Sequence, residues 1–190
     1  VFTYLFTQSE FGMMCPISVT DTSYGLLAKH GPKEAMDKFG WQMLSQDMDE
    51  IHMGAQFMTE KVGGSEVANL EVTARQDENG TWRLYGDKWF CSCVDAEVAL
   101  VLARPEGAPA GNSGLAIFAV PRHLENGDRN GYRIVRLKDK MGTKSMASGE
   151  IIFDGAVGYA FGDVGAKANP GLRQMMDQVV MSRLSHGVRA

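Results

Sequence analysis

The strongest constraint on this chain is a change of period. From about Ala55 to Asp154 apolar residues stop recurring every three to four positions. They fall instead into short β-branched or aromatic runs at 67–75, 81–85, 89–93, 98–103, 115–120, 132–137 and 150–153, separated by turn residues. About seven short strands in roughly a hundred residues is the pattern of a sandwich or barrel, and we expect it to be antiparallel. Asn79-Gly80 marks a hairpin, since both residues tolerate positive φ, and the Gly- and Pro-rich stretch 104–114 reads as a surface loop.

Both flanks of this region keep a helical period. Pro16 suits the start of a helix through Ile17, Val19, Tyr24 and Leu27. Pro32 suits the first turn of another, carrying Ala35, Met36, Phe39, Met43 and Leu44. Near the end, Asn169 is a candidate N-cap with Pro170 at the first helical position. Leu172, Met175, Met176, Val179, Val180 and Leu184 then mark one face of a long helix. The expected fold class is α+β, an antiparallel sandwich or barrel-like middle domain over 54–160, with helical segments at 1–53 and 161–190.

Composition narrows the function. At 190 residues, 44% hydrophobic and 22% charged, the chain suits an ordinary globular protein that buries roughly 70% of its unfolded surface. A formal charge of -4 argues against a broad basic face for nucleic acid or anionic membrane. Cys15, Cys91 and Cys93 form no CxxC pair, which fits reduced thiols in a cytoplasmic protein. The four histidines have no second ligand at metal-binding spacing, so no metal site is expected. No apolar run approaches the ~20 residues of a membrane span. The apolar opening lacks the basic region and cleavage site of a signal peptide. The missing initiator Met, and an end inside a helical pattern, lead us to expect a fragment.

Two stretches carry candidate chemistry. In Met58-Thr59-Glu60-Lys61-Val62-Gly63-Gly64-Ser65-Glu66, glycines allow close backbone approach, while hydroxyls and free N–H groups suit anionic or carbonyl oxygens. A plain Gly-Gly turn with Ser65 as an N-cap explains the same residues and is the commoner arrangement. Neither a P-loop nor a Rossmann unit is present, because no Gly-Lys-Ser/Thr and no strand–GxGxxG–helix occur. In Gly86-Asp87-Lys88-Trp89-Phe90-Cys91-Ser92, an aromatic such as Trp89 or Phe90 can cover a flat cofactor, and a hydroxyl two residues on projects to the same side. An aromatic core pair is the alternative.

Taken in order with Gly142-Thr143-Lys144-Ser145-Met146-Ala147-Ser148 and Ile151-Ile152-Phe153-Asp154, these stretches resemble the acyl-CoA dehydrogenase superfamily, over nearly the whole chain. The spellings MTEK, GGS, KWF, VPR and RLKDK resemble in particular the subgroup containing the bacterial alkylation-response flavoprotein AidB. The resemblance implies an N-terminal α-domain, a middle β-domain and a C-terminal helical domain around FAD. It places Met58 and Thr59 at the pyrimidine side of the flavin and Gly64 and Ser65 near its pyrophosphate. Phe90, beside Trp89, falls against a ring face and Ser92 at N5. Ser65 and Arg183 are placed along the acyl-CoA path. Ser92, Glu66 and Gln56 replace the commoner Thr, Asp and an aromatic.

The resemblance also implies α,β-dehydrogenation of an acyl-CoA thioester, with an electron-transfer flavoprotein or similar acceptor and a homotetrameric full-length protein. The family base is a Glu either downstream or just before the family arginine. Serine stands at that position here, Ser182, so no catalytic base is expected in the chain, Glu60 and Glu66 being structural. The alternative implied by the AidB-like subgroup is a stress flavoprotein that binds DNA through a region outside these residues. A β-domain serving only as an interaction module is a third possibility.

Overall fold

A computed structural model describes residues 1–189. Helices α1 (Phe2–Thr7), α2 (Met14–His30) and α3 (Lys33–Ala35) come first, and α3 continues as a π-helical turn, Met36–Gly40, and a 3-10 turn, Trp41–Leu44. The strands follow: β1 (Gly54–Phe57), β2 (Thr73–Gln76), β3 (Trp82–Ser92), β4 (Val98–Pro105), β5 (Ala116–Pro121), β6 (Tyr132–Leu137) and β7 (Ser148–Ala160), and helix α4 (Gly171–Arg189) comes last.

The sheet closes on itself. β4 pairs with β2, β2 with β3, β3 with β7, β7 with β5, and β5 returns to β4, while β6 adds to β7 from outside. Pairing is antiparallel except along one edge of β4, where β1 and β2 both run parallel to it. The two lie end to end on that edge: Gly54 to Phe57 face Val98 to Val101, and Thr73 and Ala74 face Arg104 and Pro105. They act as one strand interrupted by the 58–72 loop.

The runs 98–103 and 115–120 are apolar without alternation because both faces of β4 and β5 are covered. Ala99, Val101, Ala103, Ala116, Phe118 and Val120 point into the ring. Val98, Leu100, Leu102, Leu115, Ile117 and Ala119 point outward, onto Leu26, Leu27 and Met175 of the helices.

The β-region differs from expectation in several places, with β4 reaching Pro105 inside the expected loop and β7 running Ser148–Ala160 around the expected 150–153. Gly54–Phe57 is a strand that its four residues did not announce. The stretch 67–75 is strand only from Thr73, after a 3-10 turn at Val67–Asn69 that starts without a side-chain cap, so Ser65 caps nothing. The runs 81–85 and 89–93 fuse into β3 through Gly86, whose φ of +118 carries the strand past Val72 where a Cβ would meet Val72 Cα at 3.2 Å. The Asn79-Gly80 hairpin is present, but only Gly80 takes positive φ, and Asp77 Oδ1 accepts the N–H groups of Asn79 and Thr81 to close the loop.

The helical flanks depart further. Pro170, not Asn169, sits at the N-cap of α4, its carbonyl accepting from Gln174 N at 3.0 Å. Asn169 instead bonds Gly165 and Lys167 in the preceding loop. The packed face of α2 is mixed: Leu27 is buried and Val19 and Tyr24 rest against the core as expected, but Ser18, Thr20, Thr22 and Ser23 are buried too while Ile17 is 48% exposed. On α4 Met175 and Gln178 are buried, and Val180 and Leu184 face outward.

Candidate functional site

The 58–72 loop is fixed by a buried ion pair. Lys88 is 1% exposed on β3, and its Nζ lies 2.7 Å from Glu60 Oε1 and 3.0 Å from the Met58 carbonyl. Glu60 also accepts the N–H groups of Glu71 at 2.6 Å and Val72 at 3.2 Å, so one carboxylate ties both ends of the loop. Burial pushes the Lys88 ammonium down to about 8, against the pull of Glu60. The carboxylate is fully engaged in holding backbone, which leaves it a structural group.

Next to this lock β3 is irregular. Lys88 pairs with Ile151 and Cys91 with Gly149, so Trp89 and Phe90 together oppose Glu150. This is a β-bulge, with Phe90 at φ +56. A bulky residue in that conformation costs about 1–3 kcal/mol and is found where the fold re-aims a side chain. The effect is plain: Lys88 and Cys91 point inward, while the Phe90 ring is 62% exposed. Burial pushes the Cys91 thiol up to about 12, which marks it as an unreactive core residue.

Loop and bulge meet. Trp89 N donates to the Thr59 carbonyl at 2.8 Å, and the Trp89 and Phe90 rings stack edge to face at 5.9 Å. Cations surround Trp89: Lys138 Nζ lies 3.0 Å from its ring centroid, Lys61 Nζ 4.7 Å and the Arg136 guanidinium 5.8 Å. Glu150 Oε1 holds Arg136 Nε and Lys138 Nζ at 2.7 Å each. Despite burial, those two bonds keep its carboxyl below the usual range. Three cations and one carboxylate leave a net positive patch around two aromatic rings.

The two glycines of the loop differ. A Cβ on Gly63 would strike the Glu66 carbonyl at 2.6 Å, so the turn itself requires that glycine. A Cβ on Gly64 would meet only Thr59 Cγ2 at 3.9 Å, so nothing inside the chain demands its absence. An open glycine beside hydroxyls, an outward aromatic ring and surplus positive charge fits a flat aromatic group carrying a diphosphate.

Of the expected site residues, Met58, Thr59, Gly64, Trp89 and Phe90 therefore lie side by side. Ser65 is exposed on the same loop, and Ser92 is half-buried opposite Ser148. Arg183 stands apart, exposed on α4, whose packing partners are α1, α2, β4, β5 and the 3-10 turn Asn112–Gly114. Ser182 Oγ lies 3.3 Å from Thr22 Oγ1. Sequence reasoning missed Lys61, Arg136 and Lys138 as members of the patch and missed the Lys88–Glu60 pair. The RLKDK run was the available signal for the cations, but nothing local announces an ion pair across 28 residues.

The loop and bulge lie together on a closed β-ring, and the comparisons with known proteins place that ring in a family. Residues 55–156 match the family described as "Acyl-CoA dehydrogenase, middle domain". The chain is 40% identical over 174 residues to acyl-CoA dehydrogenase family member 11 of Caenorhabditis elegans, covering 85% of this chain and 28% of that protein. It is 39% identical over 170 residues to the putative acyl-CoA dehydrogenase AidB of Escherichia coli, covering 83% of this chain and 30% of that protein. The crystal structure of C. elegans ACDH-11 in complex with C11-CoA superposes with a TM-score of 0.86 at 34% identity, over 98% of this chain and 32% of that one. The chain belongs to the acyl-CoA dehydrogenase family, and it spans about a third or less of the length of these relatives. No helix among the described residues is long and apolar enough to cross a membrane.

Proposed function

We propose that this chain supplies the flavin-facing surface of an FAD-dependent acyl-CoA dehydrogenase, with 54–160 as its middle domain between the helical segments 1–53 and 161–190. The observation that carries the reading is the bulge that turns Phe90 outward beside Trp89, Lys61, Lys138 and the open Gly64. When bound, FAD supplies the capacity to accept a hydride from the acyl β-carbon.

The residues of this chain bind and orient. Phe90 covers one ring face. Thr59, with the backbone of Met58, and Ser92 offer hydrogen bonds to the ring edge, while Gly64 and Ser65 admit the diphosphate. Lys61 and Lys138 offset its charge. Arg183 lies along the CoA path. Removing a weakly acidic α-proton needs a positioned base, and Ser182, bonded to Thr22, is not one, so the base lies outside this chain. The full-length protein is a cytoplasmic homotetramer passing electrons to an electron-transfer flavoprotein.

The test is to load the full-length protein with FAD and add saturated acyl-CoAs of increasing length. Bleaching of the flavin absorbance supports the reading, and an unchanged spectrum with every acyl-CoA overturns it. The 190-residue chain by itself should bind FAD weakly and turn over no acyl-CoA, because it holds only part of the contact surface. Recovery of the isolated chain with stoichiometric FAD would count against that division.

A further inference from the structure

Strand β6 lies outside the β-ring and pairs with β7 alone, so its other edge is open among the described residues. The ladder shows which backbone groups that edge presents. At one end the Gly131 carbonyl accepts from Asp154 N at 2.7 Å, and at the other Lys138 N donates to the Ser148 carbonyl at 2.7 Å. In an antiparallel pair successive residues face the partner strand and then away from it. Counting inward from those two ends, Arg133 and Arg136 face β7, while Ile134 and Leu137 direct their N–H and C=O groups outward. Val135 is the extra residue of a bulge between them.

Unpaired edge groups are a template for another strand, and the charges beside them decide which one. A groove of about 310 Å³ is lined by Arg122, Arg129, Tyr132, Arg133 and Ile134. Arg122 Nη1 donates to the Asp95 carbonyl at 2.7 Å, and among the described residues no carboxylate bonds any of the three guanidiniums. Asp95 and Glu97 lie within electrostatic reach of the Tyr132 hydroxyl, but neither lines the groove, and Glu97 is committed to Met53 N at 2.6 Å. Farther along the strand Arg136 is answered by Glu150. The surplus positive charge therefore sits at the Tyr132 end. An edge so charged repels a second copy of itself and admits an acidic strand. Val135 and Leu137, both exposed, add apolar surface for that strand to rest on.

We infer that the open edge of β6 receives an extended acidic segment of a partner protein. The segment pairs with the backbone of Ile134 and Leu137 and sets its carboxylates against Arg122, Arg129 and Arg133. The bulge at Val135 breaks the regular ladder, so the pairing is short and the arginines supply the preference for acidic side chains.

The test is fluorescence polarisation of labelled seven-residue peptides with the full-length protein. A peptide alternating Glu and Val should bind, and one alternating Lys and Val should not. Two further forms of the acidic peptide are N-methylated, one at its valines and one at its glutamates, which blocks one backbone edge in each. The form blocked on the pairing edge should bind about tenfold more weakly or worse, the worth of two hydrogen bonds, while the other keeps its affinity. Ile134→Pro removes an outward N–H without removing a bond to β7 and should weaken the acidic peptide by about the same factor. Arg129→Glu combined with Arg133→Glu, both exposed, should weaken it about tenfold even if Ile134→Pro perturbs folding. Equal binding of the acidic and basic peptides, or an affinity untouched by the double charge reversal, overturns the site. Displacement of the peptide by a short DNA duplex, together with equal binding of both methylated forms, assigns the arginines to phosphates and overturns the docked strand.

Discussion

The β4–β5 wall and the α2–α4 seam are both deeply buried, yet they are built from opposite materials. The wall presents Val, Leu, Ile, Phe and Ala on both faces and gains its stability from removing apolar area from water. The seam joins its helices through Ser18–Ser185 at 3.2 Å, Thr22–Ser182 at 3.3 Å and Gln178–Ser23 at 2.8 Å. Hydrogen bonds exchanged with water return little net stability, so the wall holds the fold and the seam sets how two helices meet.

The sharpest way to break this comparison is Phe118→Ala in the wall. The ring is fully buried inside the β-ring, and its removal should cost about 3–5 kcal/mol in a urea unfolding experiment. A loss under about 1 kcal/mol would mean the wall is not what holds the fold.

Lys88→Met tests a third material, the buried ion pair. It strands Glu60 without its cation but leaves it two backbone donors, so a loss near the lower end of the range for broken buried pairs, ~3 kcal/mol, is expected. The pH dependence gives an independent signature. Unfolded Lys88 holds its proton up to its ordinary pKa of ~10.4, whereas folded Lys88 holds it only up to about 8. Between those values unfolding takes up a proton, so raising the pH favours the folded state. The stability of wild type relative to Lys88→Met should therefore rise across that window and stay flat below it. A flat difference throughout means the ammonium is not desolvated.

In the seam Thr22→Val should cost about 1 kcal/mol, and Thr22→Val with Ser182→Ala less than the sum of the two single changes, since removing both partners leaves nothing unanswered. Strict additivity in thermal unfolding would show that the hydroxyls do not interact. The smallest effect on stability belongs to Phe90→Gly. A glycine relaxes the positive φ and little packing is lost, so stability should change by less than about 1 kcal/mol, in the favourable direction. On the function proposed above, FAD binding should weaken nonetheless. Unchanged flavin affinity would remove Phe90 from the site.

The same contrast explains which parts of the molecule were legible in the sequence. In β4 and β5 burial is apolar, so 98–103 and 115–120 stood out at once. In α2 and α4 burial is mixed, so Leu27 and Met175 are buried as expected, Ile17, Val180 and Leu184 looked like core and are on the surface, and the buried Ser18, Thr22 and Gln178 gave no apolar signal to find them by. Within the site, Thr59, Trp89 and Phe90 were legible as motif letters. The bulge that aims Phe90 was not, because it exists only in the register between β3 and β7. Gly54–Phe57 escaped for a related reason: four residues carry too little period, and only the edge of β4 makes them a strand.

The way β1 and β2 share the edge of β4 has an evolutionary consequence. The loop between them leaves the sheet at Phe57 and returns at Thr73 on the same edge, so the frame fixes both of its ends. Residues can be gained or lost in between without moving any strand, at an entropic cost of only about 0.6 kcal/mol per doubling of loop length. The stretch beyond the Glu60 anchor can thus be exchanged like a cassette, and descendants of this scaffold can retune what it grips while inheriting the β-ring unchanged.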